Sequence, residues 1–273
     1  MDTRVTPGWR LINNGFGDCH TNMAIDETLL RSFDPATSAP VLRLYGWDPP
    51  ALSMGRFQKA GQALNLERCN VEGVPVVRRI TGGGVIYHAD ELTYSIVCSP
   101  EQIPSTTSLK DSFRILTRFL LNFYKALGLD ASYAQDAAPA GYRLGARTDF
   151  CFAGRESFDI LINGRKIGGN AQRRQRNVIF QHGSIPLSNQ VETGLTFMRG
   201  NFSGCEQGVV SLAECGVLLD RNKLLAEIIS AFSNSFAIEF DDYVLFSDEI
   251  IMSNNLKNNK YVADSWNLGG VGG

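Results

Sequence analysis

No stretch of this sequence is apolar for long enough to cross a bilayer, and its start, MDTRVTPGWRLI, lacks the apolar core of a secretion signal. An excess of one charge is missing too. The formal net charge is −2, so no whole-surface field draws nucleic acid or anionic membrane. Of the six cysteines (Cys19, Cys69, Cys98, Cys151, Cys205, Cys215) no two form a C-x-x-C pair, which argues against a zinc site or a disulfide framework. Histidine is scarce, with three in 273 residues, and there is no internal repeat or low-complexity linker. The expectation is a cytoplasmic protein with mostly buried free thiols, no metal, and no nucleic-acid or membrane partner. What is present is ordinary globular material: 44% hydrophobic and 20% charged residues, enough for a real core.

Apolar spacing predicts three helices. Residues 23–33 place Ile25, Leu29, Leu30 and Phe33 on one face. Residues 109–127 follow four-three spacing, with Ser108 and Asp111 as a capping pair and Gly128 as the stop. Residues 221–235 follow Asp220 as N-cap and turn Leu224, Leu225, Ile228, Ile229 and Phe232 inward. Strand signals lie at 41–47, 74–80, 91–99, 157–169, 178–187 and 241–246. The run SFDILINGRKIGG alternates at Phe158, Ile160 and Ile162, and Asn163-Gly164 supplies a hairpin turn. Strands grouped rather than alternating with helices predict an α+β fold, a single domain over residues 1–268 with a central mixed, largely antiparallel sheet flanked by helices. Residues 269–273 read as a disordered tail.

Three motifs carry chemistry. In RRITGGGVIYH (78–88), Gly82, Gly83 and Gly84 stand between two apolar runs, which is also how a hairpin turn reads. The loop matches neither phosphate-binding signature: Val85 follows Gly84 where a P-loop needs Lys-Ser/Thr, and Tyr87 occupies the third glycine of the dinucleotide fingerprint. Backbone without side chains admits a ligand closely, with Arg78 and Arg79 on opposite faces of the strand bringing charge there. In GRKIGGNAQRR (164–174), Lys166 lies beside Gly168 and Gly169, where it reaches either a ligand or only solvent. The third motif is QHGSIPL (181–187), with His182 and Gly183.

These three motifs, in this order and at these separations, resemble the lipoate–protein ligase and octanoyltransferase family, relatives of biotin–protein ligases. The resemblance extends to MAIDETLL, RLYGWDPPALSMGRFQ (43–58), ELTYS (91–95) and KYVADSWN. It implies a catalytic domain of that fold and an acyl chain held in a tunnel. TGGG and KIGGNAQ would line that tunnel, through Gly168, Gly169, Asn170 and Gln172. Arg79 and His88 would brace the loop or touch the carrier, and Arg78, His182 and Gly183 complete the substrate-binding set.

The family contains ATP-dependent ligases, which adenylate free lipoate, and transferases, which take octanoate from acyl carrier protein without ATP. One transferase branch holds the chain as a thioester on its own cysteine. DFCFAGRESFDILINGRK resembles that branch, with Cys151 eight residues before Asp159 and fifteen before Lys166. A thiol of pKa ~8.5 needs nearby positive charge to ionise at neutral pH, and Lys166 is the candidate. Cys151 and Lys166 are therefore the expected catalytic pair, with backbone N–H groups near Gly168 or Gly83 as oxyanion donors. The implied donor is octanoyl-acyl carrier protein. The acceptor is a lysine on a lipoyl domain, of glycine cleavage H protein or a 2-oxoacid dehydrogenase E2. No cofactor is expected, with ATP and magnesium needed only by a ligase. Gly84 departs from the branch, which often carries arginine there, and keeps the ligase open. Against the ligase, only residues 247–273 follow DDYVLF, too few for the C-terminal module such ligases use, although a separately encoded partner could supply it. A non-catalytic lipoyl-domain-binding regulator on the same scaffold would be expected to lose the lysine or the glycines, and this chain keeps both.

Overall fold

The computed structural model describes residues 8–104, 108–137, 156–200, 202, 204–242 and 244–269. Its strands, in chain order, begin with β1 (Trp9–Gly17), β2 (Val41–Trp47), β3 (Ala51–Met54), β4 (Val76–Arg78), β5 (Ile86–His88) and β6 (Glu91–Cys98). They continue with β7 (Ala131–Tyr133), β8 (Ile160–Ile162), β9 (Arg165–Lys166), β10 (Gly169–Gln175), β11 (Val178–Pro186) and β12 (Phe240–Asp242). One six-stranded sheet has the order β10-β11-β6-β2-β1-β12. Its β12–β1 and β1–β2 pairs are parallel and the other three antiparallel, so the α+β expectation of a mixed, largely antiparallel sheet holds.

Strand alternation divides the core between the two faces of this sheet. Leu42 and Leu44 of β2, with Tyr94 and Ile96 of β6, meet Leu116, Leu120 and Phe123 of the Leu109–Ala126 helix and Ile228 and Phe232 of the Arg221–Phe236 helix. Val41, Tyr45 and Val97 point the other way, to Ile25, Leu29, Leu30 and Phe33 of the Cys19–Ser32 helix. The helix ends follow their caps. Ser108 Oγ accepts from the Asp111 N–H at 3.1 Å, Asp220 accepts from that of Lys223 at 3.0 Å, and Gly128 stops its helix at φ +78°.

The first helix begins at Cys19, not Met23, because Asp18 caps it by accepting from His20 and Thr21. It is buried on most sides, Asp26 and Glu27 included. The Ser247–Leu256 helix covers its outer side, and each acid has a cation, Arg43 at 2.7 Å and Lys260 at 2.6 Å.

The hairpin at Asn163-Gly164 is present, with both residues at positive φ (50° and 73°) as a type I′ turn requires. Its alternation is not one-sided, however: Leu161 is as buried as Ile160 and Ile162. Past Lys166 the chain turns at Gly168 (φ +78°), where a Cβ would stand 2.0 Å from the Ser184 carbonyl oxygen. The run at 74–80 yields only the short β4. The polar stretch after β12 folds into the Ser247–Leu256 helix, a π-helical turn at Lys257–Tyr261 and a short helix at Asp264–Asn267. The Gly269 N–H donates to the Asp264 carbonyl at 3.0 Å, and residues 270–273 lie outside the described ones. Among the described residues no helix is long and apolar enough to cross a membrane.

Candidate active site

The glycine loop is not a hairpin turn. β4 and β5, which flank it, lie on either side of β3, so Thr81–Gly84 crosses the end of a three-stranded sheet. Gly83 has φ +97°, a conformation that disfavours a side chain whether or not a ligand lies nearby. The two arginines diverge and both are buried. Arg79 Nη2 donates to the Gly82 and Gly84 carbonyls at 3.1 and 2.8 Å, while its Nη1 donates to the Ser53 carbonyl and hydroxyl, both at 2.7 Å. Arg79 thus shapes the loop from behind. The Arg78 guanidinium donates to the backbone carbonyls of Gly55, Arg56 and Gln58 on one side and of Trp266 and Asn267 on the other, and its backbone N–H donates to Asn267 Oδ1.

Beneath the loop are two buried hydroxyl–imidazole–carboxylate chains. Ser53 Oγ lies 2.5 Å from His88 Nε2, and His88 Nδ1 lies 2.8 Å from Glu91. The Trp47 ring stacks on His88 at 3.8 Å, and its Nε1 donates to Thr93. In the second chain, Thr81 Oγ1 is 2.7 Å from His182 Nε2, and His182 Nδ1 is 3.7 Å from Asp26. Asp26 also accepts from Arg43, Tyr45 and Ser95. Burial pushes the His182 imidazole below its usual pKa against the opposing pull of Asp26. A neutral ring with its proton on Nδ1, facing Asp26, accepts from Thr81 and so ties the glycine loop to the sheet. Burial pushes the Asp26 and Glu91 carboxyls up, but Arg43 with His182 and Ser95 outweighs it for Asp26, and His88 with Thr93 and Ser184 for Glu91. Both sit below the ordinary carboxylate range.

Between loop and sheet lies a small, mostly apolar cavity. Met23, Tyr45, Trp47 and Ile86 give it apolar walls, and Gly83, Gly169 and Gly183 bring backbone to its surface. Asn170, also on this wall, borders a second, more open pocket lined by Phe113, Phe158 and Asp159. Asp159 Oδ2 is 2.7 Å from Lys166 Nζ, and both residues are buried, so Lys166 is not the solvated hairpin lysine its sequence context permits. The arrangement suits an elongated apolar group whose polar end approaches Asn170 and the Lys166–Asp159 pair.

Of the residues singled out from sequence, Arg79, Gly83, His88, Gly169, Asn170, His182 and Gly183 line the first cavity. Gly82 and Gly84 are held behind it, and Arg78 lies deeper. Gly168 forms the bend, while Gln172 faces elsewhere, bonded to Gln181 and Ser112. Cys151 lies outside the described residues. Sequence reasoning gave no role to Met23, Tyr45, Trp47, Thr93, Ser53, Asp26, Glu91 or Asp159. One signal was available: in VLRLYGW the alternation puts Arg43 on the same face as Tyr45 and Trp47, and a buried arginine requires a buried acid.

Residues 18–237 match the family model of the lipoyl protein ligase A/B catalytic domain. The octanoyltransferase LipM of Kyrpidia tusciae is 33% identical over 269 residues, covering 95% of this chain and 98% of its own. That of Bacillus subtilis is 31% identical over 272 residues, covering 95% and 97%. Among solved structures, a lipoate-protein ligase A bound with ATP superposes with a TM-score of 0.81 at 24% identity, over 97% of this chain and 100% of that one, a likeness of fold.

Proposed function

Because the chain belongs to the lipoyl protein ligase A/B catalytic-domain family, we infer that it is an acyltransferase that moves octanoyl groups in lipoate assembly. The observation that carries this reading is the apolar slot walled by glycine backbone, which shares Asn170 with a second pocket lined by Asp159, the ion-pair partner of Lys166. The full-length likeness to octanoyltransferases supports it. An eight-carbon chain has no charge to neutralise, so its site needs apolar walls and close backbone rather than a cation at depth.

The reaction has two thioester steps. The Cys151 thiolate attacks the carbonyl of the octanoyl thioester on an acyl carrier protein. The carrier's thiolate leaves and takes a proton, and the chain remains on Cys151. The amine of a lipoyl-domain lysine then attacks this second thioester, forming the amide and releasing the Cys151 thiolate, while the amine's extra proton passes to base. The Lys166 ammonium, fixed by Asp159, favours the thiolate and the developing oxyanion. Asp159 also offsets part of that charge, so position matters as much as sign.

With octanoyl-acyl carrier protein and a lipoyl domain, and with ATP and magnesium omitted, the amide is expected to form at full rate, read as the mass of the lipoyl domain. Strict dependence on ATP with free octanoate or lipoate as donor would place the protein among the ligases instead.

A further inference from the structure

Two buried polar chains fasten the glycine loop to the six-stranded sheet, on opposite flanks of the slot. One runs from Thr81 through His182 to Asp26. The other starts at the Gly82 and Gly84 carbonyls, held by Arg79 Nη2, and passes through Arg79 Nη1 to Ser53 Oγ, then to His88 and Glu91. Glu91 closes it on the sheet, where its carboxylate accepts from Ser184 Oγ at 2.7 Å and from Thr93 Oγ1. Trp47, stacked on His88, donates to the same Thr93, so an apolar wall of the slot is fixed by this chain as well. His182 and Ser184 lie two residues apart on β11, about 7 Å along the strand, with Gly183 between them on the cavity surface. The cavity thus lies between the two ties.

Donor and acceptor chemistry orders the protons of the second tie. A carboxylate only accepts, so His88 Nδ1 carries a hydrogen and donates to Glu91. A guanidinium only donates, so Ser53 Oγ accepts from Arg79 and turns its own hydrogen to the bare His88 Nε2. Ser53 is therefore where the loop side of the tie meets the sheet side. It is fully buried, it stands on β3 between β4 and β5, and it does not line the cavity. Any effect it has on a ligand passes through Arg79 and His88, which do.

We propose, on the acyltransferase reading, that Ser53 is a positioning residue that sets the width of the slot and so favours a straight acyl chain over a branched one. A polymethylene chain offers no polar group to recognise, so a site selects it by shape, and shape persists only while the walls keep their separation. Apolar contacts alone would let the loop ride over a wider group. A hydrogen bond weakens steeply as it stretches or bends, so a buried chain of them resists that movement. Loss of the Ser53 hydroxyl leaves the Arg79 bond to the backbone carbonyl at 53, 2.7 Å long, and the Thr81 tie on the other flank. The loop then loosens on one side only, widening the slot without detaching its wall.

The test is steady-state transfer to a lipoyl domain from two donors, octanoyl-acyl carrier protein and the same carrier bearing an octanoyl chain with a mid-chain methyl branch. The readout is the ratio of their kcat/KM values, with Tm measured alongside. Ser53→Ala is expected to shift that ratio about tenfold toward the branched chain, the discrimination that one added or missing carbon commands in a fitted apolar pocket. Ser184→Ala cuts the same tie at its sheet end and should shift the ratio the same way. Ser235→Ala removes a buried hydroxyl from the Arg221–Phe236 helix on the other face of the sheet, where it donates to the Ala231 carbonyl at 2.6 Å. It should lower Tm and leave the ratio at the wild-type value. An unchanged ratio in Ser53→Ala and Ser184→Ala overturns the proposal, even if both donors are used more slowly, because that pattern marks a purely structural role. A ratio that moves in only one of the two, or equally in Ser235→Ala, overturns it as well. Where Ser53→Ala does not fold, Ser184→Ala alone decides. Absence of wild-type transfer from the octanoyl carrier sinks the acyltransferase reading and the proposal with it, whereas normal transfer with unchanged ratios sinks the proposal alone.

Discussion

Lys166→Met is expected to lower octanoyl transfer on the order of a thousandfold, the size of effect typical for a positioned group that handles charge or protons in a transition state. Structure complicates the experiment in a useful way. Removing the ammonium leaves Asp159 buried without its cation, which costs roughly 3–5 kcal/mol where burial is complete. Loss of activity in the single variant therefore mixes chemistry with a weakened β8–β9 hairpin. Adding Asp159→Asn removes the unpaired charge and keeps a side-chain oxygen to accept from the Glu156 N–H, which now donates to Asp159 at 2.7 Å. The double variant should recover most of the lost Tm and none of the lost rate. If rate returns with stability, Lys166 is structural. Lys166→Arg separates charge from shape, since a planar guanidinium does not replace a compact ammonium.

Gly83→Val should abolish acyl transfer, whereas Gly82→Ala should leave it within a few-fold of wild type. The contrast follows from backbone and space. Gly83 sits at φ +97°, where a β-branched residue is strained by about 1–2 kcal/mol or more, and its Cβ would stand 3.3 Å from Arg79 Nη2 while projecting from the cavity wall. Gly82 has no positive φ, and a Cβ there meets nothing within 4 Å. Binding of a fluorescent octanoyl analogue and Tm should be measured together: lost binding with a modest drop in Tm is the expected pattern. Full activity in Gly83→Val would reduce TGGG to a connection between strands. The glycine at 83 thus has a backbone angle that requires it and a place on the cavity wall; from sequence the two stood as alternatives, a hairpin turn needing positive φ or a ligand lying against the backbone.

That divided answer marks how far the sequence could be read. Long elements with strong periodicity and side-chain caps were legible to within a residue or two, as at 109–126 and 221–236, because local chemistry decides them. β1 was passed over. Its second half, NNGFG, is exposed and polar, so only Trp9–Ile12 carry an apolar signal, yet it lies between β2 and β12 in the sheet. The TGGG turn was legible as glycine but not as a crossing, because β3 inserts between β4 and β5 from twenty residues upstream. In the site, the motif residues Gly83, His88, Asn170 and His182 come together as their order implies. Asp26, Ser53 and Glu91 were missed because their roles rest on partners far away in sequence, and single buried polar residues look like surface residues until the fold pairs them.

The central claim is that the acyl chain passes through Cys151. The most direct measurement incubates the protein with octanoyl-acyl carrier protein alone, then determines intact mass and maps the modified peptide. The account predicts one octanoyl group, carried as a thioester on Cys151, and neither adduct nor transfer by Cys151→Ala. An octanoyl group on any of the other five cysteines, or wild-type turnover by Cys151→Ala, would contradict it.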